Sequence, residues 1–438
     1  MGYDFLFIPP NSFYKLKHKV LIQLATQLSE KFLQVRKRTT SLCNPLKEED
    51  TVVQPIIDVS PPKWHLGHTT WFFENFLLVK HLDGYQLYNK KLNYIFNSYY
   101  ESQGDRILRS NRGNLSRPSL SEVLAYRAHV DEHMLLLLEK AEKDSSLQEW
   151  VELGLQHEMQ HQELLVTDIK YILGNNPLFP VFNNKYAEEH SKVLNNNGWL
   201  NIAEGVYPIG FNGEGFHFDN EEGYHQVFLH SFEISKNLVT NKEYISFIES
   251  GGYKDFSFWL SEGWEWVKQD NKEAPLYWFN VDGKWLYYTL NGLKEIEMDE
   301  PVSHVSYYEA DAFARWKGMR LPTEFEWETA CKLYASEPIN QTNLLESEKY
   351  HPRVQPSNTT EFIGNLWEWT SSAYLPYPYY KQAEGALGEY NGKFMVNQMV
   401  LKGGSCATPL NQIRASYRNF FHADKQWQFT GIRLAKYI

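Results

Sequence analysis

The chain has 438 residues, a formal net charge of −11 and an aromatic content of 16%. This length is sufficient for two or three domains with large apolar cores. The negative charge argues against a nucleic-acid partner, because phosphate binding requires a concentrated basic face. The three cysteines, Cys43, Cys331 and Cys406, are widely spaced and support neither a disulfide framework nor a CxxC zinc site.

The N-terminus and the hydropathy pattern predict a cytoplasmic protein. Residues 1–15 lack the basic start, apolar run and small-residue cleavage site of a secretory leader. No window approaches the roughly 18 uninterrupted apolar residues that a membrane helix requires. We therefore expect no membrane partner.

The first part of the chain carries apolar residues at spacings of three and four. This pattern predicts helices over residues 13–38, 65–82, 119–142 and 147–173. Ser119 and Glu122 resemble a capping box at the start of the third helix. The basic run 36–38 indicates a solvated end of the first helix. We interpret the four helices as an up-and-down bundle with long connections.

The residue composition and the apolar pattern change at the polar stretch 183–197, which is rich in turn-forming residues. We place a helical domain at residues 1–185 and a second domain at residues 197–438. The second domain is rich in short strand patterns, Gly, Trp and Tyr, with helices expected over 240–250, 307–317 and 323–334. The predicted fold class is therefore α+β with two domains.

His157 and His161 lie four residues apart in a predicted helix, so their rings project from the same face. Such a pair can chelate one metal ion. A third ligand is expected from residues 60–76, where His65 and His68 lie three apart, and local spacing does not choose between them. Three neutral imidazoles suit iron, copper, cobalt or zinc.

The same segment, His157-Glu158-Met159-Gln160-His161, also satisfies HExxH. In metallopeptidases the two histidines of this motif bind zinc and the glutamate activates water. The absence of a further histidine in residues 162–175 weakens this alternative without excluding it. Gln160, which lies between the two histidines on the same helical stripe, could instead reach a substrate.

Further motifs occur in a fixed order along the chain. Trp64-His65-Leu66-Gly67-His68 precedes the histidine pair, and the C-terminal half contains the runs Val239-Thr240-Asn241, Arg320-Leu321-Pro322-Thr323-Glu324, Gly364-Asn365-Leu366-Trp367-Glu368-Trp369, Lys402-Gly403-Gly404-Ser405 and Gly431-Ile432-Arg433. In this combination the chain resembles the EgtB-type ergothioneine sulfoxide synthases, or hercynine oxygenases. The resemblance implies a DinB-like four-helix bundle followed by a formylglycine-generating-enzyme-type domain of C-type-lectin-like architecture.

The resemblance also implies an activity and a metal. Members of this family hold Fe(II) with three histidines, which here match His68, His157 and His161. They use O₂ to join a thiol to C2 of the imidazole of hercynine and to oxidise the new thioether sulfur. Three neutral imidazoles leave coordination positions for the reactants on one ion. The small-molecule partners expected for this chain are therefore hercynine, cysteine and O₂.

Tyr99 and Tyr100 resemble the tandem tyrosines of the family branch that uses free cysteine, and a phenol can supply a proton at neutral pH. Gln160 and Asn419 resemble family positions that contact hercynine, and the ring face of Phe420 could bind its trimethylammonium group. Phe421 occupies the place of an aspartate found in the branch that uses γ-glutamylcysteine, which also favours free cysteine. Arg109 is our candidate for the cysteine carboxylate, and Arg106 and Arg112 are its alternatives.

Related reactions remain open from the sequence. One class places sulfur at C5 of histidine, as in ovothiol synthesis, and another uses a selenosugar to make selenoneine. A true formylglycine-generating enzyme would need a cysteine pair after Gly404, where only Cys406 is present. We assign no chemistry to the tryptophans and glycines of the C-terminal motifs, which are expected to build the core. A ligand-binding module without catalysis is the remaining interpretation of that half.

Overall fold

Helices dominate the N-terminal half of the chain and short strands the C-terminal half, which confirms the α+β prediction. The computed structural model describes residues 27–98, 104–141, 144–182, 198–335, 339–354, 360–382 and 391–438. No helix among these residues is long and apolar enough to cross a membrane.

The N-terminal half is a helical bundle. Its helices are α1 Gln27–Cys43, α2 Pro62–Phe73, α3 Lys90–Phe96, α4 Leu120–Ala141 and α5 Ser145–Gly174. Helix α2 packs against both α4 and α5, and α5 also packs against α1. The bundle core is formed largely by apolar and aromatic side chains from these four long helices, including Phe32, Phe73, Tyr126 and Leu155.

The predicted helix 65–82 differs from the structure in two ways. Helix α2 begins at Pro62, because proline is tolerated in the first turn, where its missing N–H has no helical partner. After α2 the chain continues through a π-helical turn, Glu74–Leu78, into a last turn at Val79–His81. The carboxylate of Glu74 is buried there and accepts hydrogen bonds from the Tyr85 and Tyr126 hydroxyls.

Three further features of the helices bear on the predictions, namely one N-terminal cap, one basic run and one additional helix. The capping box is confirmed, since the Ser119 N–H donates to Glu122 and the Glu122 N–H donates to Ser119 Oγ. The interpretation of residues 36–38 as a solvated helix end is wrong. Helix α1 continues to Cys43, and Arg36 is buried because it pairs with carboxylates of two neighbouring helices. The short helix α3 was missed.

The C-terminal half combines four helices with twelve strands in the described residues. The helices are α6 Asn241–Glu249, α7 Ser261–Asp270, α8 Tyr307–Trp316 and α9 Glu324–Tyr334. The strands are β1 Trp199–Ile202, β2 Gly205–Ile209, β3 His225–Leu229, β4 Phe232–Ser235, β5 Trp278–Val281, β6 Lys284–Thr289, β7 Gly292–Glu295, β8 Trp367–Ala373, β9 Met399–Lys402, β10 Asn419–Phe421, β11 Thr430–Gly431 and β12 Ala435–Tyr437. Helices α6, α8 and α9 match their predicted ranges closely, whereas α7 was not predicted.

The strands form small sheets with the orders β1-β4-β12, β10-β9-β8-β11, β2-β3 and β5-β6-β7. All pairs are antiparallel except β8 with β11. In the four-stranded sheet, Asn419 pairs with Leu401 and Phe421 pairs with Met399. The strand order places β10, which carries three of the predicted binding residues, at one edge of this sheet.

The sequence motifs of the C-terminal half build its core, as expected. Trp327, Trp367 and Trp369 are completely buried. Glu368 forms a buried ion pair with Arg433 through two hydrogen bonds of 2.6 Å, and it also accepts from the Trp327 indole at 2.5 Å. These contacts join helix α9, strand β8 and the C-terminal segment, so the motifs explain the fold of this half.

The two halves meet along α5. Leu165, Val166 and Ile169 of this helix belong to one buried apolar cluster with Tyr288 and Phe429 of the C-terminal half. The helix that carries the histidine pair is therefore packed from both sides.

We predict that Glu368→Gln destabilises the protein by about 3–5 kcal/mol, because it leaves the Arg433 guanidinium buried without a countercharge. Glu233→Gln is the matched control, since it removes an ion pair with Lys436 near the surface. The control should cost about 1 kcal/mol or less. Denaturant unfolding of both variants measures the difference, and equal stabilities would contradict a structural role for Glu368.

Candidate metal centre and adjoining cavity

Helix α5 places the histidine pair on the stripe that faces α2. Each residue of an α-helix advances by about 100°, so positions four and eleven residues after His157 share its face. His161 and Asp168 occupy these positions, and all three side chains are buried. Helix α2 contributes His65 and His68 on the facing side.

His68, His157 and His161 form a group of three potential metal ligands. One ring nitrogen from each lies within 4.8 Å of the others. The rings of His68 and His161 are 4.8 Å apart between centroids, and those of His157 and His161 are 4.7 Å apart. The structure thus brings together the three histidines for which the resemblance implied a ligand role.

The position of His68 depends on the C-terminal end of α3. Its Nδ1 lies 2.7 Å from the carbonyl oxygen of Phe96, to which it donates when it carries the proton. A Cβ atom at Gly67 would lie only 2.2 Å from the Phe96 ring, so this position requires glycine. The indole of Trp64 stacks on His68 at 4.6 Å. These contacts leave Nε2 of His68 as the ring nitrogen available to a metal.

The three imidazoles are neutral at physiological pH. Burial lowers the pKa of His157 to about 3. Burial, together with the neighbouring His157, holds the pKa of His68 and of His161 well below the usual range. A neutral imidazole has the lone pair that a metal ion needs, so this donor set fits a divalent transition metal. When bound there, the metal would be held by His68, His157 and His161.

His65 is placed differently from His68. Its Nδ1 lies 2.8 Å from Nδ1 of His161, and its Nε2 lies 2.9 Å from Oδ2 of Asp168. Both ring nitrogens therefore have partners among protein side chains. Local sequence spacing does not distinguish the two histidines, and in the structure their ring nitrogens have different partners.

Glu158, the glutamate of the HExxH pattern, faces away from the cluster. It accepts hydrogen bonds from Arg36 at 2.8 Å and Thr39 at 2.6 Å, and it forms an ion pair with Arg127. Burial alone would raise the pKa of Glu158, but Arg127 and Arg36 lower it to about 2. The Glu158 carboxylate is thus held by side chains of α1 and α4 and is not positioned to activate water at the metal. This placement argues against the metallopeptidase interpretation.

A cavity of about 310 Å³ lies on the adjoining flank of α5, between the bundle and the C-terminal half. This volume is typical of small-molecule sites. Its wall includes all five predicted substrate-binding residues, which are Arg109, Gln160, Asn419, Phe420 and Phe421. Further aromatic side chains line it, namely Phe218, Phe394, Tyr417 and Trp427.

The cavity wall near α5 is held by hydrogen bonds to the C-terminal half. The amide Nε2 of Gln160 donates to the Tyr417 hydroxyl at 2.8 Å. Oε1 of Glu163 accepts from the Trp367 indole at 2.6 Å and from the Ser405 hydroxyl at 2.8 Å. Burial raises the pKa of Glu163, although these donors oppose the shift. Two of the C-terminal motifs thus fix the orientation of α5.

The three residues of strand β10 contribute different surfaces. Phe420 stacks on Tyr374 with 4.0 Å between ring centroids, and Phe421 meets the Trp427 ring edge-on at 5.3 Å. The side-chain oxygen of Asn419 accepts from the backbone N–H of Phe420. The strand therefore offers two fixed aromatic rings and one oriented amide to the cavity.

Basic side chains from both halves reach the cavity wall beside Asp58. Arg109 donates to the Asp58 carbonyl oxygen at 2.5 Å, and Lys425 pairs with the Asp58 carboxylate at 2.8 Å. Arg112 has a different role, because it is buried over the Trp64 ring and donates to the hydroxyls of Ser60 and Ser98. Of the three arginines considered from the sequence, Arg109 is the one that lines the cavity.

Two predicted site residues lie outside the described part of the chain, and several residues of the candidate site were not predicted. Tyr99 and Tyr100 lie outside the described residues. Tyr417, Glu163 and Lys425 carried no local sequence signal, because their contacts join distant parts of the chain. Asp168 could have been found, since it follows His161 by seven residues and shares its helical stripe.

Comparison with known families follows the two halves of the structure. The model of the sulfatase-modifying factor enzyme 1-like domain matches residues 185–351 and 355–438, which is more than half of the chain. The chain belongs to this family. Residues 31–165 match the DinB superfamily.

Relatives of this family include enzymes with different activities. A hercynine oxygenase of Mycolicibacterium smegmatis is 28% identical over 407 residues, which cover 86% of this chain and 91% of that protein. A hercynine oxygenase of Mycobacterium tuberculosis is 34% identical over 238 residues, covering 50% of this chain and 55% of that protein. A formylglycine-generating enzyme of Streptomyces coelicolor is 28% identical over 249 residues, or 48% of this chain and 78% of that protein. The oxygenase relatives indicate that this chain is an oxygenase enzyme.

We predict that Glu158→Gln destabilises the metal-free protein by about 3–5 kcal/mol, because it leaves two buried guanidinium groups short of a countercharge. Asp131→Asn is the matched control, since Asp131 pairs with Arg36 but is about a quarter exposed. The control should cost about 1 kcal/mol or less. Denaturant unfolding measures both variants. Full stability of Glu158→Gln with complete loss of turnover would instead indicate a catalytic glutamate.

Proposed function

We propose that this chain is a mononuclear iron(II) enzyme that uses O₂ to join cysteine to C2 of the hercynine imidazole and to oxidise the sulfur. The observation that carries the proposal is the three-imidazole cluster on α2 and α5, together with the cavity on the adjoining flank of α5, whose wall includes Gln160, Arg109 and strand β10. The relative named as a hercynine oxygenase, matched along 86% of this chain, supports the substrate.

The overall reaction balances with O₂ as its oxidant. The C2–H bond of hercynine and the S–H bond of cysteine are broken, and a C–S bond forms. One oxygen atom goes to sulfur, and the other leaves as water with the two hydrogens. O₂ accepts four electrons, two from formation of the C–S bond and two from sulfur. Iron(II) held by the three histidines would supply the redox chemistry and bring the reactants together.

The aromatic part of the cavity suits the cationic end of hercynine. A trimethylammonium group binds favourably to the faces of aromatic rings. Phe420 is held for this contact by its stacking on Tyr374. Gln160 and Asn419 offer amides to the imidazole or the carboxylate, and the bond to Tyr417 fixes the rotamer of Gln160.

The basic part of the cavity suits the carboxylate of cysteine. Arg109 and Lys425 approach from different halves of the chain and meet at Asp58. A carboxylate placed between them would gain two charge-assisted hydrogen bonds. At position 421 the same cavity wall carries a phenyl ring, where the resemblance places an aspartate in the branch that uses γ-glutamylcysteine. This composition supports free cysteine as the sulfur donor.

Tyr99 and Tyr100 are our proposed proton donors. The described residues that precede this pair are attached to the histidine cluster, because His68 contacts the Phe96 carbonyl oxygen. Arg112 donates to the Ser98 hydroxyl at 2.8 Å, and the Asn97 amide donates to the Gly104 carbonyl oxygen. The described residues on both sides of the tyrosine pair are therefore held in place. A phenol with an ordinary pKa of about 10 keeps its proton at neutral pH.

We predict that the protein, reconstituted anaerobically with ferrous iron, converts hercynine and cysteine to hercynylcysteine sulfoxide when air is admitted. One O₂ should be consumed for each sulfoxide formed, as followed by an oxygen electrode and product mass. His157→Ala, which removes one proposed ligand, is the control. A C5-linked product from histidine, or turnover only with a selenosugar, would contradict the assignment of hercynine and cysteine.

We predict that Arg109→Ala and Lys425→Ala each raise the KM for cysteine about tenfold, and the KM for hercynine much less, because each removes one charged hydrogen bond to the donor carboxylate. Lys436→Ala is the control, since Lys436 pairs with Glu233 outside the cavity. Cysteamine, which lacks the carboxylate, separates binding from folding effects. If the variants slow cysteine and cysteamine equally, the carboxylate lies elsewhere.

A further inference from the structure

The side chain of His65 connects a proposed metal ligand to a buried carboxylate. Its Nδ1 lies 2.8 Å from Nδ1 of His161, and its Nε2 lies 2.9 Å from Oδ2 of Asp168. His65 and Asp168 are 1% and 2% exposed, so water does not replace these contacts. The three groups form a continuous hydrogen-bonded chain on one stripe of α5 and the facing side of α2.

The proton positions in this chain follow from the metal site. If His161 binds the metal through Nε2, its Nδ1 must carry the proton, because a neutral imidazole has one N–H. That N–H donates to Nδ1 of His65, which is therefore unprotonated. The N–H of His65 is then on Nε2 and donates to the Asp168 carboxylate. Each hydrogen bond in the chain then has one donor nitrogen and one acceptor atom.

The Asp168 carboxylate is held by three N–H groups in all. The backbone N–H of Ser60 donates to Oδ2 at 2.8 Å, in addition to the bond from His65. The Trp427 indole donates to Oδ1 at 3.2 Å. Trp427 belongs to the C-terminal half and also lines the cavity. The position of Asp168 thus depends on the packing of the two halves.

We propose that His65 and Asp168 are positioning residues that hold His161 in the tautomer and ring orientation required for metal binding. This inference rests on the proposed metal centre. A hydrogen bond from the second nitrogen of a ligating imidazole to a carboxylate makes the ligand a stronger donor, and its loss commonly lowers metal affinity 10- to 100-fold. Here a second imidazole transmits the effect of the carboxylate. Because Trp427 donates to Asp168, the orientation of His161 also depends on the C-terminal half.

The test compares metal binding by purified full-length variants without any substrate. Cobalt(II) is added anaerobically to the metal-free protein, and its visible absorption reports both affinity and ligand geometry. His65→Leu removes both hydrogen bonds, whereas His65→Gln retains an acceptor for His161 and a donor for Asp168. His351→Leu is the matched control, because His351 is an equally buried histidine that contacts Glu300 in the C-terminal half.

We predict that His65→Leu weakens cobalt binding 10- to 100-fold and changes the absorption spectrum, and that His65→Gln restores most of the affinity. Asp168→Asn should fall between His65→Leu and the native protein, since it keeps an acceptor but loses the charge. His351→Leu should bind as the native protein does. Thermal unfolding of each metal-free variant separates a loss of fold from a loss of ligand orientation.

Two results would overturn the inference. Native affinity and spectrum in His65→Leu would show that the chain to Asp168 does not act on the metal. Complete loss of binding in both His65 variants, equal to that of His161→Ala, would make His65 a ligand. Binding of cobalt by the native chain itself tests the proposed function, so failure of that proposal is seen separately.

Discussion

The helical period of α5 decides which parts of the protein its side chains can reach. At about 100° per residue, the side chains of one 30-residue helix must divide among three surroundings. One stripe carries His157 and His161 toward α2. One flank places Glu158 against Arg36 and Arg127 of the bundle. The other flank places Gln160 and Glu163 against the C-terminal half. The two flanks fix the rotation of the helix and hence the direction of the histidines.

The C-terminal half shapes the candidate site from two directions. Its motifs supply Trp367 and Ser405, which bind Glu163 of α5, and its edge strand β10 supplies the opposite wall of the cavity. The same type of domain occurs in relatives with another activity. Under the proposed function, the chemistry takes place at the histidine cluster of the bundle, and the C-terminal half shapes the cavity.

Much of the fold could be predicted from the sequence, because long amphipathic helices and capping boxes are local signals. The range of α5 and the cap at Ser119 are examples. The different surroundings of His65 and His68 could not be predicted locally, because they depend on the Phe96 carbonyl oxygen, Asp168 and the His161 ring. The π-helical turn at Glu74–Leu78 was missed because apolar periodicity does not encode it.

The candidate site was predictable to the extent that its residues lie in short motifs. The histidines and the three residues of strand β10 were recognised as candidates in this way. Lys425 and Tyr417 were not assigned to the site, because their partners are hundreds of residues away in the chain. The buried charge of Arg36 was misinterpreted for the same reason. A basic run on a helix is usually solvated, and here the carboxylates of α4 and α5 that reverse this expectation are distant in sequence.

In the proposed function, α2 and α5 hold one iron ion, and the cavity on the adjoining flank of α5 binds hercynine. Anomalous diffraction at the iron edge, from anaerobic crystals of the iron-loaded protein soaked in hercynine, tests it most directly. We predict one iron peak at bonding distance from His68, His157 and His161, with hercynine density between Gln160 and strand β10. An iron peak coordinated by His65, or hercynine bound away from this cavity, would contradict the account.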